Sequence, residues 1–218
     1  GGNIATNAGG IKVIRYGMTR DWVAGLQVVT GTGELLDLGR GLVKNNAGYD
    51  LRHLMIGSEG TLGVIVEATM RLAPAPPQTA VMVLGAADMP AIMQILDAFR
   101  DRVALEAFEF FSELALAKVV AHHDLQRPFD TRSNFYALLE FAAEDDEAQA
   151  RALECFERCV EAGWVEDGVL SQSLSQARDL WRLREDISET LSRWTPYKND
   201  ISTTVSRVPA LLVDVEAL

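Results

Sequence analysis

Two cysteines, three histidines and fewer basic than acidic side chains are the first limits on what this 218-residue chain can do. Cys155 and Cys159 stand four apart in a stretch patterned as an amphipathic helix, residues 148–162, where side chains share a face but rarely reach disulfide geometry. They are expected to be reduced and packed, which points to a cytoplasmic setting. Lysine and arginine number 20 against 31 acidic residues, for a formal net charge of −11. A nucleic-acid partner needs a concentrated basic face, so that class is excluded. No apolar run reaches the roughly 20 residues of a spanning helix, and no charged-then-apolar export signal opens the chain. A soluble protein without a membrane span is expected, with 48% hydrophobic residues to build its core.

An initiator methionine is missing as well. The chain opens on Gly1-Gly2-Asn3-Ile4-Ala5-Thr6-Asn7-Ala8-Gly9-Gly10, a glycine-dense loop of the kind that normally lies between elements. The expectation is that residues are missing upstream.

Alternation over residues 22–29, the turn Gly31-Thr32-Gly33 and the return over 34–38 predict a hairpin. A loop rich in glycine and asparagine (39–48) leads to the apolar run 51–56, then to Gly57-Ser58-Glu59-Gly60-Thr61-Leu62-Gly63 and a strand over 64–72. Ala73-Pro74-Ala75-Pro76-Pro77 can continue neither a ladder nor a helix and is read as a linker. Beyond it strands (79–84, 105–111, 135–141, 165–170) alternate with helices (89–102, 113–121, 146–161). That pattern predicts an α+β sandwich, ferredoxin-like, with helices on one face of the sheet. A long helix (173–192), a strand (198–205) and a last helix (208–218) complete the expected elements.

The 57–63 segment places glycines between apolar runs, where the backbone can approach a ligand and present N–H groups to an anion. It has neither the Walker lysine-serine pair nor nicotinamide-fingerprint spacing, so an ordinary P-loop or Rossmann site is excluded. A tight turn between strands is an equally good account of its spacing. In the first ten residues, Asn3, Thr6 and Asn7 add groups that could bond either their own backbone or a ligand. Later in the chain, Arg184 and Ser188 are one helical turn apart and Lys198 follows, so two cations and a hydroxyl could converge on a small carboxylate. A charged helix of this kind is more often a solvated, salt-bridged face. His53, His122 and His123 are the remaining metal-capable group; neighbours on a helix point in different directions, so His122 and His123 are expected to be exposed or locally bonded.

Taken in order, the opening segment, Arg15-Tyr16-Gly17, Asn46-Ala47-Gly48-Tyr49-Asp50-Leu51-Arg52 and Ile56-Gly57-Ser58-Glu59-Gly60-Thr61-Leu62-Gly63-Val64-Ile65 resemble the FAD-linked oxidases of the vanillyl-alcohol oxidase and p-cresol methylhydroxylase superfamily. The resemblance is closest to the D-2-hydroxyglutarate and D-lactate dehydrogenase branch. It implies that residues 1–73 are part of an FAD-binding domain, 74–78 a linker, and 79–218 an incomplete C-terminal substrate domain. It implies flavin contacts at Gly2, Asn3, Thr6, Asn7 and Gly10 and at Gly57, Ser58, Glu59, Gly60, Thr61, Gly63, Val64 and Ile65. Arg184, Ser188 and Lys198 would hold the carboxylate of a D-2-hydroxy acid, with Ser188 where the family has threonine and the segment before Tyr197 about one residue short.

The family's upstream pyrophosphate loop has no counterpart in the chain, so the FAD site is expected to be incomplete. A divalent metal and the catalytic base are expected past Leu218; no catalytic residue is assigned within the chain. A half-built flavin site is expected to leave disorder near the N-terminus or to drive self-association. The expected activity is hydride transfer from a D-2-hydroxy acid to flavin, the alternative a truncated homologue that folds without catalysing. A phenol oxidase or an alkyl-transferring flavoenzyme is a third reading; phenols have no carboxylate for the Arg184/Lys198 pair to neutralise.

Overall fold

The computed structural model describes residues 1–39, 41, 42 and 44–217. Arg40 and Val43, in the expected glycine- and asparagine-rich loop, and Leu218, at the end of the expected last helix, lie outside the described residues. The chain forms two compact units that meet at Pro76/Pro77, where proline can extend neither neighbouring ladder.

The first unit opens with three single-turn helices, α1 (Gly2–Ala5), α2 (Val13–Tyr16) and α3 (Thr19–Trp22), so the expected N-terminal loop contains a helical turn. Strands β1 (Val23–Val29) and β2 (Leu35–Leu38) form the expected hairpin, in register from Leu26 opposite Leu38 to Val29 opposite Leu35. Helix α4 (Leu51–Met55) replaces the strand-like reading of 51–56. A five- or six-residue apolar run does not separate helix from strand, and here Asp50 decides, its carboxylate accepting the N–H of His53 at 3.2 Å as an N-cap. Strand β3 (Val64–Met70) pairs antiparallel with β1, giving the sheet order β2-β1-β3. Val23, Leu26 and Val28 of β1 are buried with Ile4, Met55 and Ile56, so α1 and α4 close one core with the sheet.

The second unit contains β4 (Thr79–Ala86), α5 (Met89–Arg100), β5 (Leu105–Ser112), α6 (Glu113–His123), β6 (Phe135–Ala142), α7 (Asp146–Glu161) and β7 (Asp167–Leu170). Asp88, Ser112 and Asp145 cap the three helices by accepting the N–H three residues on. The antiparallel sheet runs β5-β6-β4-β7. Leaving α6 aside, the elements follow the β-α-β-β-α-β succession of ferredoxin-like folds, and the class is α+β as expected.

Helices cover both faces of this sheet, not one. Met82 and Leu84 of β4 and Leu139 and Phe141 of β6 pack with Ile92, Ile95 and Phe99 of α5 and with Ala152, Cys155 and Cys159 of α7. The alternate residues Val81, Val83, Tyr136 and Leu138 pack on the opposite side with Leu116 of α6 and Leu180 and Leu183 of α8 (Leu174–Glu185). Central strands buried at successive positions have no solvent face, so both sides need a helical layer. Each such Leu or Phe stabilises the fold by about 1.5–3 kcal/mol.

The expected helix over 173–192 is broken at Asp186 into α8 and α9 (Ile187–Leu191), although neither proline nor glycine stands there. Arg182 Nε donates locally to Asp186 Oδ2 at 3.1 Å, and past the break a tertiary contact anchors α9: Thr190 is fully buried with its hydroxyl 3.2 Å from His123 Nε2 on α6. The strand expected over 198–205 does not form. Those residues are irregular and lead into the 3-10 turn Val205–Arg207 and helix α10 (Val208–Glu216). The β-branched residues 201–205 suit a strand, but among the described residues no sheet edge pairs with them. No helix among the described residues is long and apolar enough to cross a membrane.

Candidate functional site

In the first unit the two glycine-bearing segments lie side by side. The N–H of Gly57 donates to the carbonyl of Ile4 at 3.1 Å, and that of Glu59 to the carbonyl of Ala5 at 2.9 Å. Burial of Ile4 pins α1 to the core, and Arg20 closes the arrangement from the side. Its backbone N–H donates to Asn7 Oδ1 at 3.0 Å and its Nη2 to the Ile56 carbonyl at 3.3 Å.

The polar side chains of these segments are mostly occupied locally. Thr6 Oγ1 donates to the Gly2 carbonyl and Thr61 Oγ1 to the Ser58 carbonyl, while the Asn7 carbonyl oxygen is taken by Arg20. The backbone stays open. Gly2, Gly10 and Gly60 are exposed, and a Cβ at any of them would meet nothing within 4 Å. Gly57 and Gly60 adopt φ of +85° and +80°, a region that favours glycine. Gly63 differs: a Cβ there would come within 2.7 Å of Val28 Cγ1 and the Val29 carbonyl oxygen, so this glycine serves sheet packing. Uncovered glycine backbone beside exposed Asn3, Glu59 and Val64 fits a flat ligand laid on the chain itself.

A hollow of about 260 Å³ also lies in this unit, lined by Asp37, Gly48, Tyr49, Asp50, Arg52 and Arg71 among others. None of the residues assigned above to flavin lines it. Arg52 Nη1 donates to the Ala24 carbonyl at 2.9 Å and its Nη2 to Asp50 Oδ2 at 2.8 Å. Burial raises the Asp50 pKa, but the hydrogen bonds from Arg52 and His53 and their charges outweigh it and hold the carboxyl below the usual range.

In the second unit the three cationic and hydroxyl candidates divide into two contacts. Lys198 Nζ donates to Ser188 Oγ at 3.1 Å, and the chain approaching Lys198 is steadied by Trp194, whose ring centroid lies 4.5 Å from Lys118 Nζ. Arg184 turns to β5 instead: Nε donates to Glu109 Oε2 at 2.9 Å, and Nη2 lies 2.8 Å from the same oxygen as an ion pair. One turn earlier Trp181 Nε1 donates to Glu140 Oε2 on β6 at 3.0 Å. Glu109 and Glu140 have no local signal in the sequence; they stand 75 and 41 residues from their partners.

His123 is locally bonded, to Thr190, and lies 3.8 Å from Asp186. With Glu189 these form a group whose possible ligand atoms lie within 4.8 Å of one another among the described residues. His123 and Asp186 already bond Thr190 and Arg182, which gives them a structural task at the α8–α9 break. Cys155 and Cys159 are free thiols buried against α5, reduced and packed as expected. Burial pushes Cys159 up to about 11 and raises Cys155 as well.

An α+β unit with helices on both faces of its sheet, following a β-rich unit with open glycine backbone, is the class of a flavin-linked oxidase piece, and comparison with known proteins bears this out. Residues 75–218 match the FAD linked oxidases, C-terminal domain, and residues 1–39 match the FAD binding domain. The chain belongs to the FAD-linked oxidase family. It is 61% identical over 218 residues to a D-2-hydroxyglutarate dehydrogenase of Stutzerimonas stutzeri, covering all of this chain and 47% of that protein. A relative of the same description from Xanthomonas citri is 59% identical, with coverage of 100% and 46%. The mitochondrial D-2-hydroxyglutarate dehydrogenase of Bos taurus is 41% identical over 224 residues, with coverage of 100% and 40%. The chain thus spans about half the length of the curated relatives it matches. Among solved structures it superimposes on an alkyldihydroxyacetonephosphate synthase with a TM-score of 0.56 at 20% identity, covering 85% of this chain and 36% of that one, a likeness of fold.

Proposed function

We propose that the chain is the portion of an FAD-dependent D-2-hydroxy-acid dehydrogenase that carries one wall of the flavin site and the substrate-carboxylate clamp. The observation that carries this reading is 61% identity over the whole chain to a protein described as D-2-hydroxyglutarate dehydrogenase. The residues present fit the cofactor. Gly2, Asn3, Thr6, Asn7 and Gly10 with Gly57, Ser58, Glu59, Gly60, Thr61, Gly63, Val64 and Ile65 would line it, mainly through backbone, with Gly63 holding the sheet beneath. When bound, the flavin supplies the acceptor for the hydride from the substrate's C2.

The chain's own residues orient and neutralise. Arg184 presents a planar fork to the substrate carboxylate, Lys198 adds a point charge, and Ser188, already bonded to Lys198, offers a hydroxyl. Exposed Leu54, Leu62 and Val64 near the glycine segments support self-association of the chain when it is made by itself. The buried thiols support a reducing, cytoplasmic setting, although relatives in plants and mammals are mitochondrial.

The test is to express the full open reading frame and record the flavin spectrum. Bleaching on addition of D-2-hydroxyglutarate is expected; a flavin-loaded protein that bleaches with neither D-2-hydroxyglutarate nor D-lactate would overturn the reading.

A further inference from the structure

We propose that Glu109 is the positioning residue of the carboxylate clamp, fixing the plane and direction of the Arg184 guanidinium; this rests on the reading of Arg184 given above. Strand alternation places Glu109 on the α8 side of the sheet, opposite Leu138 in register and on the same face as Phe111. There it is partly shielded: the side chains of Arg184 and Glu109 retain 33% and 21% of their exposure.

Glu109 Oε2 accepts from Nε of Arg184 and lies 2.8 Å from its Nη2, so the carboxylate faces the Nε/Nη2 edge. An arginine has five N–H donors in one plane, so binding the Nε/Nη2 edge leaves the Nη1/Nη2 edge to meet a second carboxylate side-on. Without that anchor the long side chain samples several rotamers and its edge must be ordered anew at each binding event. The pair is also neutral as a unit. Net positive charge in the clamp therefore comes from Lys198, while Arg184 contributes directed hydrogen bonds: charge at one end of the clamp, geometry at the other.

The experiment uses the full-length flavin-loaded enzyme, with kcat and KM for D-2-hydroxyglutarate and Tm measured for Arg184→Ala, Glu109→Ala, Glu109→Gln and Glu109→Asp. Glu109→Ala is expected to raise KM roughly tenfold with little change in kcat, because binding geometry alone is lost. Glu109→Gln keeps an acceptor oxygen at the same reach and is expected to restore KM to within about threefold of the parent. Glu109→Asp withdraws the acceptor by one methylene with the charge kept, and is expected to raise KM even if Glu109→Ala proves too unstable to assay. A KM unchanged in Glu109→Asp and Glu109→Ala, with Arg184→Ala strongly impaired, would overturn the positioning role and leave the clamp intact. An unaffected Arg184→Ala would instead remove the clamp itself, and the role of Glu109 with it.

Discussion

Lys198 Nζ donates to Ser188 Oγ at 3.1 Å, joining an irregular segment to the short helix α9 ten residues earlier. The contact puts a cation and a hydroxyl at one point, while the third member of the set, Arg184, stands on α8 across the break at Asp186 and is held by Glu109.

In the full-length enzyme, Arg184→Ala should raise KM for a D-2-hydroxy acid by about a hundredfold, the loss of two charge-assisted hydrogen bonds. Ser188→Ala should cost less, roughly tenfold or under, since one neutral donor disappears and Lys198 remains. Ser188→Thr keeps the hydroxyl and should stay near the parent value. Steady-state kinetics across the three variants checks the order.

Gly10→Val and Gly63→Ala should separate ligand contact from packing. Gly10 is exposed with nothing near its missing Cβ, so Gly10→Val should leave stability within about 0.5 kcal/mol while lowering the flavin-to-protein absorbance ratio. A Cβ at Gly63 would press on Val28 and the Val29 carbonyl, at a cost of about 1–3 kcal/mol in urea unfolding. Full flavin content in Gly10→Val would remove the opening segment from the cofactor site.

Glu113, Arg127 and Tyr136 form a polar knot beside the second core: Arg127 Nη2 donates to Glu113 Oε2 at 2.6 Å and Tyr136 Oη to the same oxygen at 2.7 Å. Burial raises the Glu113 pKa, but the bonds from Arg127 and Tyr136 and the charges of Arg127 and Arg132 prevail, leaving it lowered from 4.5. A depressed folded-state carboxyl contributes stability that is present above its unfolded value and lost as pH falls through the folded one. The parent should therefore lose stability as pH drops below about 4.5, and Glu113→Gln should show a flatter acid limb in urea unfolding.

Cys155 and Cys159 should resist a thiol reagent at pH 8 in the native protein and both react after denaturation, because burial raises their pKa values, that of Cys159 to about 11. Rapid native labelling would contradict the packing of α7 on α5. Cys159→Ser should destabilise by about 1–3 kcal/mol, since a hydroxyl there would be buried among apolar groups.

Local pattern sufficed for most elements. The hairpin needed only its alternation and Gly31-Thr32-Gly33, and α7 begins where Asp145 caps and ends at Glu161 because its apolar stripe runs that far. The order of the glycine segments, in the same way, carried the family, because backbone at positive φ, as at Gly57 and Gly60, restricts residue type one position at a time.

Residues far apart in the chain were decided by folding alone. The anchoring of α9 depends on His123, 67 residues before Thr190, the direction of Arg184 on a carboxylate 75 residues away, and the irregular course of 198–204 on the lack of a paired edge among the described residues. Propensity and periodicity are properties of neighbours along the chain, whereas the partner of a buried charge or the edge offered to a strand is set by which surfaces the packed layers bring together.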